Sequence, residues 1–310
     1  MMSPACFAAS FVVRVTSSWY FLAAAGPSRS LPRIVTVYFM RSSFPRAPAI
    51  LDRLPCDLLV TMRVSICGRL VIESGEHVVD EAALPGRLGR RLWAYLVLNR
   101  RRPVGRGELI AALWGDAEPD AADASLNALV SRIRGALARA PDGGAELRGA
   151  TGSYSLVLPA DAFVDRERAW SAIHHVQAIR RAGDVGGAWA EAVIANEIAA
   201  RGFLPGEEGD WIEAERRVLR DVELQALEAI AEAEIDQRRP SEAERVARRL
   251  IARDALRESG YRLLMRALAA AGNGAQAARV MEECRLALGG AAVAPSAETL
   301  RVYREVSGAG

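Results

Sequence analysis

Polar and small side chains share one face of the segment AADASLNALVSRIRGAL, residues 121–137, when it is drawn as a helix. This face carries Asn127, Ala128, Ser131, Arg132 and Arg134. In the major groove of DNA, a guanidinium pairs with O6 and N7 of guanine, and a carboxamide pairs with N6 and N7 of adenine. Small residues between these groups let a helix approach the groove floor. The segment therefore has the pattern of a DNA-reading helix, although the solvated face of an ordinary amphipathic helix has the same composition.

The opposite side of this segment is apolar. Leu126, Val130, Ile133 and Leu137 recur at spacings of four, three and four residues, which is the period of an amphipathic helix. We expect these four side chains to face a core and Asp120 to cap the helix N-terminus. The polar face must then point away from the core.

A shorter helix and a connector precede this segment. The sequence GRGELIAALWG predicts a helix over 106–114 that ends at Gly115. The connector that follows is acidic, with Asp116, Glu118 and Asp120, and it is longer than a minimal tight turn. The two helices and their connector have the order of a helix-turn-helix.

A β-hairpin is predicted behind the two helices. In ELRGATGSYSLVL, residues 146–148 and 154–157 form short strands, and residues 149–153 form the tip. Arg148 or Thr151 would then hydrogen bond a phosphate across the minor groove. A hairpin that follows a helix-turn-helix is the wing of a winged helix, whose second helix enters the major groove.

Short strands within 62–79 and a helix over about 88–98 are predicted ahead of these elements. Three arginines, Arg100 to Arg102, end that helix. Cations suit the C-terminal end of a helix electrostatically. Contact with DNA phosphates, from Arg102 and from Arg106, is the alternative that the residues leave open.

The composition excludes several kinds of enzyme. The 310-residue chain contains 40 basic residues, all of them arginine, so neither a GxxxxGK[ST] phosphate loop nor a pyridoxal Schiff base can form. The four cysteines are scattered, and the three histidines lack partners at metal-ligand spacing. The sequence also contains no GxSxG or HExxH motif. We therefore expect no enzymatic activity, no cofactor and no metal, and reduced cysteines in the cytoplasm.

The net charge of +2 is unevenly distributed. Residues 1–61 carry six arginines against two acids, residues 62–158 carry thirteen against eleven, and residues 159–310 carry twenty-one against twenty-five. The C-terminal half is therefore net acidic and is not expected to hold DNA by itself.

Residues 1–61 differ in composition from the rest of the chain. They contain no Asp or Glu before Asp52, and the apolar run 6–26 is interrupted by Arg14. The favoured interpretation is an extension that is disordered or lies upstream of the true start at Met62. A targeting or anchoring segment is the alternative, but we expect no membrane association.

The C-terminal half is predicted to be almost entirely helical, after a short hinge over 159–165. The predicted helices cover about 163–182, 185–200, 209–237, 241–253, 256–271, 274–288 and 295–307. The sequences AERV at 243–246 and AARV at 277–280 are offset by 34 residues, the period of tetratricopeptide repeats. This half is predicted to be a stack of helical hairpins whose acidic surface binds protein.

The residues also resemble a known family. The span 63–158, with GELIAALWG, LNALVSRIRGAL and AELRGATGSYSLVL, resembles the OmpR-type winged helix of SARP-family activators, the antibiotic regulatory proteins of actinomycetes. The span 160–307, with FLPGEEGDWIEAERRVL, resembles the bacterial transcriptional activation domain of the same family. In that domain, Trp170, Trp189 and Trp211 would be core or groove residues.

The resemblance implies roles for individual residues. The DNA-reading positions of the family correspond to Asn127, Ala128, Ser131, Arg132 and Arg134, with Arg148 and Thr151 in the wing. Asp116, Glu118 and Asp120 occupy the place where related winged helices contact RNA polymerase. The family further implies a homodimer that binds direct repeats in double-stranded DNA.

The sequence therefore predicts a mainly α chain. An extension, 1–61, precedes an α+β winged-helix DNA-binding domain, 62–158, and an all-α tetratricopeptide-like domain, 160–307. The function that the resemblance implies is activation of a secondary-metabolite gene cluster, by binding promoter repeats and recruiting RNA polymerase. A protein-interaction adaptor whose winged helix does not bind DNA is the alternative.

Overall fold

The computed structural model describes residues 62–75, 77–139 and 144–308, together with the backbone of two strands near the N-terminus. The chain divides into a unit over 1–56 and a second unit over 57–310. In the first unit, β1 (Ala8–Val15) and β2 (Ser18–Ala25) pair antiparallel. The other residues of the predicted extension, 1–61, lie outside the described part of the chain.

The second unit begins with a sheet that contains both early and late parts of the chain. Its strands are β3 (Met62–Ser65), β4 (Val71–Ser74), β5 (His77–Asp80) and β9 (Phe163–Val164), in the order β5-β4-β3-β9. The first three form an antiparallel meander, as predicted for 62–79, and β9 pairs parallel to β3. A 3-10 turn, Glu81–Ala83, follows the meander.

Three helices and a second sheet complete the winged-helix half. The helices are α1 (Gly86–Leu98), α2 (Arg106–Trp114) and α3 (Ala122–Leu137). The second sheet has the order β6-β8-β7 and consists of β6 (Val104–Gly105), β7 (Glu146–Ala150) and β8 (Ser153–Val157). The predicted hairpin is therefore confirmed, with Thr151 and Gly152 at its turn.

The predicted helices of this half are confirmed, with one error at a cap. Helix α2 has the predicted bounds and ends at Gly115, whose φ of 57° favours glycine. The predicted N-cap of α3 is wrong, because the helix begins two residues after Asp120. The cap position is Ala121, and its side chain accepts no hydrogen bond.

Seven helices form the second half of the unit. They are α4 (Asp165–Arg181), α5 (Val185–Ala199), α6 (Asp210–Asp236), α7 (Pro240–Arg253), α8 (Glu258–Ala270), α9 (Gly274–Gly289) and α10 (Ala297–Ser307). Each helix packs against the next, and α4, α6, α8 and α10 also contact one another in turn. This is the predicted stack of helical hairpins.

The 34-residue offset has a structural counterpart. Ala243 and Val246 on α7, and Ala277 and Val280 on α9, are all buried. The two matching sequences therefore occupy equivalent inward-facing positions on the second helix of successive hairpins.

The predicted hinge over 159–165 is wrong. Phe163 and Val164 pair with Arg63 and Val64 of β3, and Asp165 begins α4 directly behind them. The connection between the two halves is thus a strand of the N-terminal sheet, because its backbone completes the hydrogen bonding of β3.

Candidate nucleic-acid interface

Helix α3 has one buried and one exposed face, as predicted. Leu126, Val130, Ile133 and Leu137 are buried in the core of the winged helix. The helix packs against α1, α2 and β7. Sequence reasoning missed three further buried residues of this helix, Ala122, Leu129 and Ala136.

The predicted DNA-reading residues of α3 all lie on its exposed face. They are Asn127, Ala128, Ser131, Arg132 and Arg134. These residues remain exposed when the helical half is present, so the helical half does not cover them. The face that the sequence assigned to DNA is open to a ligand.

Arg106, at the first turn of α2, connects α3 with the wing. Its Nη1 donates to Asn127 Oδ1 and to Tyr154 Oη, each at 3.0 Å. Its Nε pairs with the Asp123 carboxylate, and its Nη2 donates to the Asp123 carbonyl at 2.7 Å. A side chain predicted to contact phosphate therefore holds three groups of the protein in place.

Arg134 has a similar structural contact. Its Nε donates to the backbone carbonyl of Leu147 in β7 at 2.8 Å. Gly149 allows this approach, since a Cβ there would lie 3.1 Å from Arg134 Nη2. The guanidinium thus joins the C-terminal part of α3 to the wing.

The wing itself places two predicted contacts at its outer side. Arg148 and Thr151 are exposed. Arg148 pairs with Glu146 on the same strand at 2.8 Å, in an exposed contact of the kind that contributes little to stability. The amide of Arg106 donates to the Gly152 carbonyl at 2.9 Å, which fixes the wing turn against the start of α2.

The three arginines that follow α1 have protein partners. Arg100 grips Glu167 of α4 with two hydrogen bonds of 2.6 and 2.9 Å, and Arg101 adds a third of 3.0 Å. Arg102 pairs instead with Glu108 at 2.9 Å. Arg100 and Arg101 therefore join the two halves of the unit, whereas Arg102 pairs within the winged helix and is half-exposed.

Glu108 is the centre of a small polar cluster on α2. Its hydrogen bonds with Arg102 lower the pKa of the Glu108 carboxyl to about 2. Tyr95 donates its hydroxyl to the same carboxylate at 2.7 Å. Burial, and then this hydrogen bond to Glu108, raise the pKa of Tyr95 to about 12. The carboxylate therefore stays charged throughout the neutral range.

The acidic connector between α2 and α3 is exposed. Asp116, Glu118 and Asp120 all point away from the core. The preceding turn is fixed by the other half of the unit, because Trp211 Nε1 of α6 donates to the Ala112 carbonyl at 2.9 Å. The predicted polymerase contact is thus an exposed loop, and the end of the helix that precedes it is held by a hydrogen bond.

The tryptophans of the helical half differ in their environment. Trp211 is partly buried, with its ring edge-on to Tyr95 at a centroid distance of 5.0 Å. Trp189 is also partly buried and donates to Glu234 at 2.8 Å. Trp170 is not a core residue, since 40% of it is exposed beside His174.

Carboxylates of the helical half complete the junction. Glu207 is buried and pairs with Arg87 at 2.6 Å and Arg90 at 3.2 Å, both on α1. Asp165 is also buried and accepts hydrogen bonds of 3.0 Å from the amides of Ile66 and Cys67. Burial raises the pKa of Asp165 even though these amides stabilise its charge.

The two cysteines in the described part of the chain lie in the core. Cys67 and Cys284 are buried free thiols, and burial raises the pKa of each. Such thiols are inert packing groups rather than nucleophiles. Among the helices in the described part of the chain, none combines the length and the apolar character that a bilayer span requires.

Two family models match the chain. The family described as "Transcriptional regulatory protein, C terminal" matches residues 86–151, and the "Bacterial transcriptional activator domain" matches residues 164–307. The first contains α1, α2, α3 and the first strand of the wing, and the second contains all seven helices of the other half. This pair of domains, in this order, decides the family. The chain belongs to the SARP family of transcriptional regulators.

Individual relatives agree with this assignment. The SARP chain is 33% identical over 196 residues to regulatory protein AfsR of Streptomyces coelicolor, an alignment that covers 63% of this chain and 19% of AfsR. It is 30% identical over 200 residues to AfsR of Streptomyces griseus, covering 63% of this chain and 20% of that protein. The chain thus spans about a fifth of the length of these relatives.

Transcriptional regulatory protein EmbR is a further relative. EmbR of Mycobacterium tuberculosis is 42% identical over 71 residues, covering 23% of the SARP chain and 18% of EmbR. A solved structure of M. tuberculosis EmbR in complex with a low affinity phosphopeptide matches with a TM-score of 0.68 and 22% identity. It covers 80% of this chain and 65% of that one, so the two proteins share a fold.

Sequence reasoning missed most of the contacts that position the interface. The partners of Arg106 lie 17, 21 and 48 residues away. No local spacing marks such pairs, because they meet only after α2, α3 and the wing have packed. The sequence showed that the basic side chains are arginines, but it did not show which of these arginines bind groups of the protein itself.

Proposed function

We propose that this SARP regulator is a DNA-binding transcriptional activator. It binds direct repeats in a promoter as a homodimer, with α3 in the major groove and the wing on the neighbouring backbone. It then recruits RNA polymerase to a secondary-metabolite gene cluster, as the family resemblance implies. In this proposal, residues 62–158 supply the DNA-binding domain and residues 160–307 the activation domain.

One observation carries the proposal. The whole polar face of α3 is exposed, although the helical half belongs to the same compact unit as the winged helix. Burial of this face against the helical half would have left no surface of α3 for DNA. The exposed face, together with the exposed Arg148 and Thr151 of the wing, supports binding to a duplex.

The residues divide into base-reading and backbone contacts. Ala128, Ser131 and Arg132 would face base edges, and among the described residues Arg132 has no ion-pair partner. Arg148 and Thr151 would bind phosphates from the wing, and Arg102 would do so from the end of α1. Phosphate contacts position the protein, whereas base contacts select the sequence.

The polymerase contact would be the acidic connector. Asp116, Glu118 and Asp120 are exposed on the opposite end of α2 from Arg106. The last turn of α2, which precedes them, is hydrogen bonded to Trp211 of the activation domain. The connector would therefore keep a constant position relative to both DNA and the helical half.

The test is selection of binding sites by the full chain from a random duplex library, followed by anisotropy at several salt concentrations. We expect a repeated sequence and an affinity that falls steeply with salt, because phosphate binding releases counterions. Arg132→Ala should weaken binding to the selected site by about tenfold, a loss of one good base contact. Its unfolding temperature should match wild type.

A matched control is Arg139→Ala, which removes an exposed arginine just beyond α3. It should lower affinity for selected and unselected duplexes alike, if at all. A chain that enriches no sequence and retards no duplex at low salt would overturn the proposal and favour the adaptor.

A further inference from the structure

We propose that Asn127 reads guanine through its amino group and does not make the two-bond contact with adenine that asparagine usually makes. Its carbonyl oxygen is already committed to Arg106 and Tyr154. The proposal rests on the DNA-binding function proposed above and names the base that this site selects. Arg106 and Tyr154 are positioning residues in it.

The orientation of the Asn127 amide follows from its partners. Arg106 Nη1 lies 3.0 Å from Asn127 Oδ1, and Tyr154 Oη lies 3.2 Å from the same atom. A guanidinium has five donors and no acceptor, so the amide atom that faces it must be the oxygen. Two donors at one oxygen use both of its lone pairs.

Arg106 cannot easily release this oxygen. Its guanidinium is also bound to the carboxylate and carbonyl of Asp123, one turn before Asn127 on α3. Its backbone amide is bound to Gly152 in the wing turn. Tyr154 is fixed in turn by its strand, which pairs with Val104 on one side and Gly149 on the other.

The exposed part of Asn127 is therefore a donor alone. Because the oxygen points toward the wing, the amino group is the part of the amide that an approaching base can meet. Adenine offers one acceptor and one donor in the major groove, whereas guanine offers two acceptors, N7 and O6. An amino group without an acceptor beside it can bond both guanine acceptors, but it finds one acceptor only on adenine (N7) or thymine (O4), and it repels the amino group of cytosine.

Arg132, the next base-contacting residue on this face, also presents only hydrogen-bond donors. Its side chain is exposed. Ala128, between them, offers no polar atom. Asn127 and Arg132 therefore match a strand that presents acceptors at two positions.

The test changes one atom of Asn127. In Asn127→Asp, one carboxylate oxygen still accepts from Arg106 and Tyr154, but the outward group becomes an acceptor. Site selection by the full chain should give guanine at one position of each repeat with wild type. The variant should replace it by cytosine, whose amino group is a donor, and the preference between the two should change by about tenfold or more.

Tyr154→Phe tests the positioning role. The ring remains, but one of the two donors that hold the Asn127 oxygen is lost, so the amide can turn. The guanine preference should weaken at the same position and at no other. Tyr303→Phe makes the same chemical change on α10 and should leave every position unchanged.

The outcomes are separable. Adenine at the affected position in wild type, or an unchanged preference in Asn127→Asp, would overturn the inference while DNA binding stands. Relaxed preference at many positions in Tyr154→Phe would also overturn it, since the hydroxyl would then only support the wing. If wild type selects no sequence, the proposed function itself is wrong.

Discussion

Replacing Trp211 by alanine tests whether the helical half holds the winged helix in place. The indole donates to the Ala112 carbonyl at 2.9 Å and lies edge-on to Tyr95 and Phe203, at 5.0 and 5.9 Å. One hydrogen bond contributes about 1 kcal/mol, and each aromatic pair contributes about 1 kcal/mol. We therefore expect Trp211→Ala to lower the free energy of unfolding by about 3 kcal/mol.

A second variant separates the hydrogen bond from the packing. Trp211→Phe keeps an aromatic ring but loses the donor. The Ala112 carbonyl still accepts from Arg91 Nη2 at 3.0 Å, so it is not left without a partner. The loss should then be only about 1 kcal/mol, the low end for a buried polar contact.

The assay is thermal unfolding of the full chain by circular dichroism, with binding to the selected duplex measured in parallel. A loss of about 3 kcal/mol should lower the melting temperature by roughly 6–12 °C for a unit of this size. Trp170→Ala is the matched control, since that side chain is exposed, and it should change stability by less than about 0.5 kcal/mol. If Trp211→Ala melts with wild type, or if Trp170→Ala loses as much, the described junction does not stabilise the fold.

Two further predictions concern the winged helix. Because Arg102 holds the pKa of Glu108 at about 2, below its ordinary 4.5, their pairing stabilises the fold above about pH 4.5 and is lost as the pH falls toward 2. Melting temperatures of Glu108→Gln should therefore vary less over this range, and an unchanged slope would contradict the assignment. Gly149→Ala places a Cβ 3.1 Å from Arg134 Nη2, so the guanidinium must move. Anisotropy should show weaker binding to the selected duplex, whereas Gly107→Ala, in open space on α2, should bind as wild type does and melt slightly higher.

The elements of the fold were largely predictable because they depend on local periodicity. The apolar stripe of α3 and the glycine after α2 each define an element within about a dozen residues. The repeated AERV and AARV sequences likewise marked equivalent helices. The cap was mispredicted because a cap signal at one residue does not fix where a helix starts, and α3 starts two residues after Asp120.

The candidate site was predictable as a face but not as a network. Amphipathic spacing identified which side of α3 is exposed, because burial of Leu126 and Ile133 fixes the rotation of the helix. It did not show that the Asn127 oxygen is occupied, since its partners come from α2 and β8. The junction residues Glu207 and Asp165 were missed for the same reason, as each acts on a strand or helix about a hundred residues away.

Strand β9 restricts how this architecture can be divided or exchanged. A fragment that stops at Leu158 would leave an edge of β3 unpaired and would remove Asp165 from the amides of Ile66 and Cys67. Grafting the DNA-reading half onto the helices of another regulator would require a donor strand of matching register. We therefore expect DNA specificity in such proteins to evolve by point substitutions on α3 and the wing more readily than by exchange of whole halves.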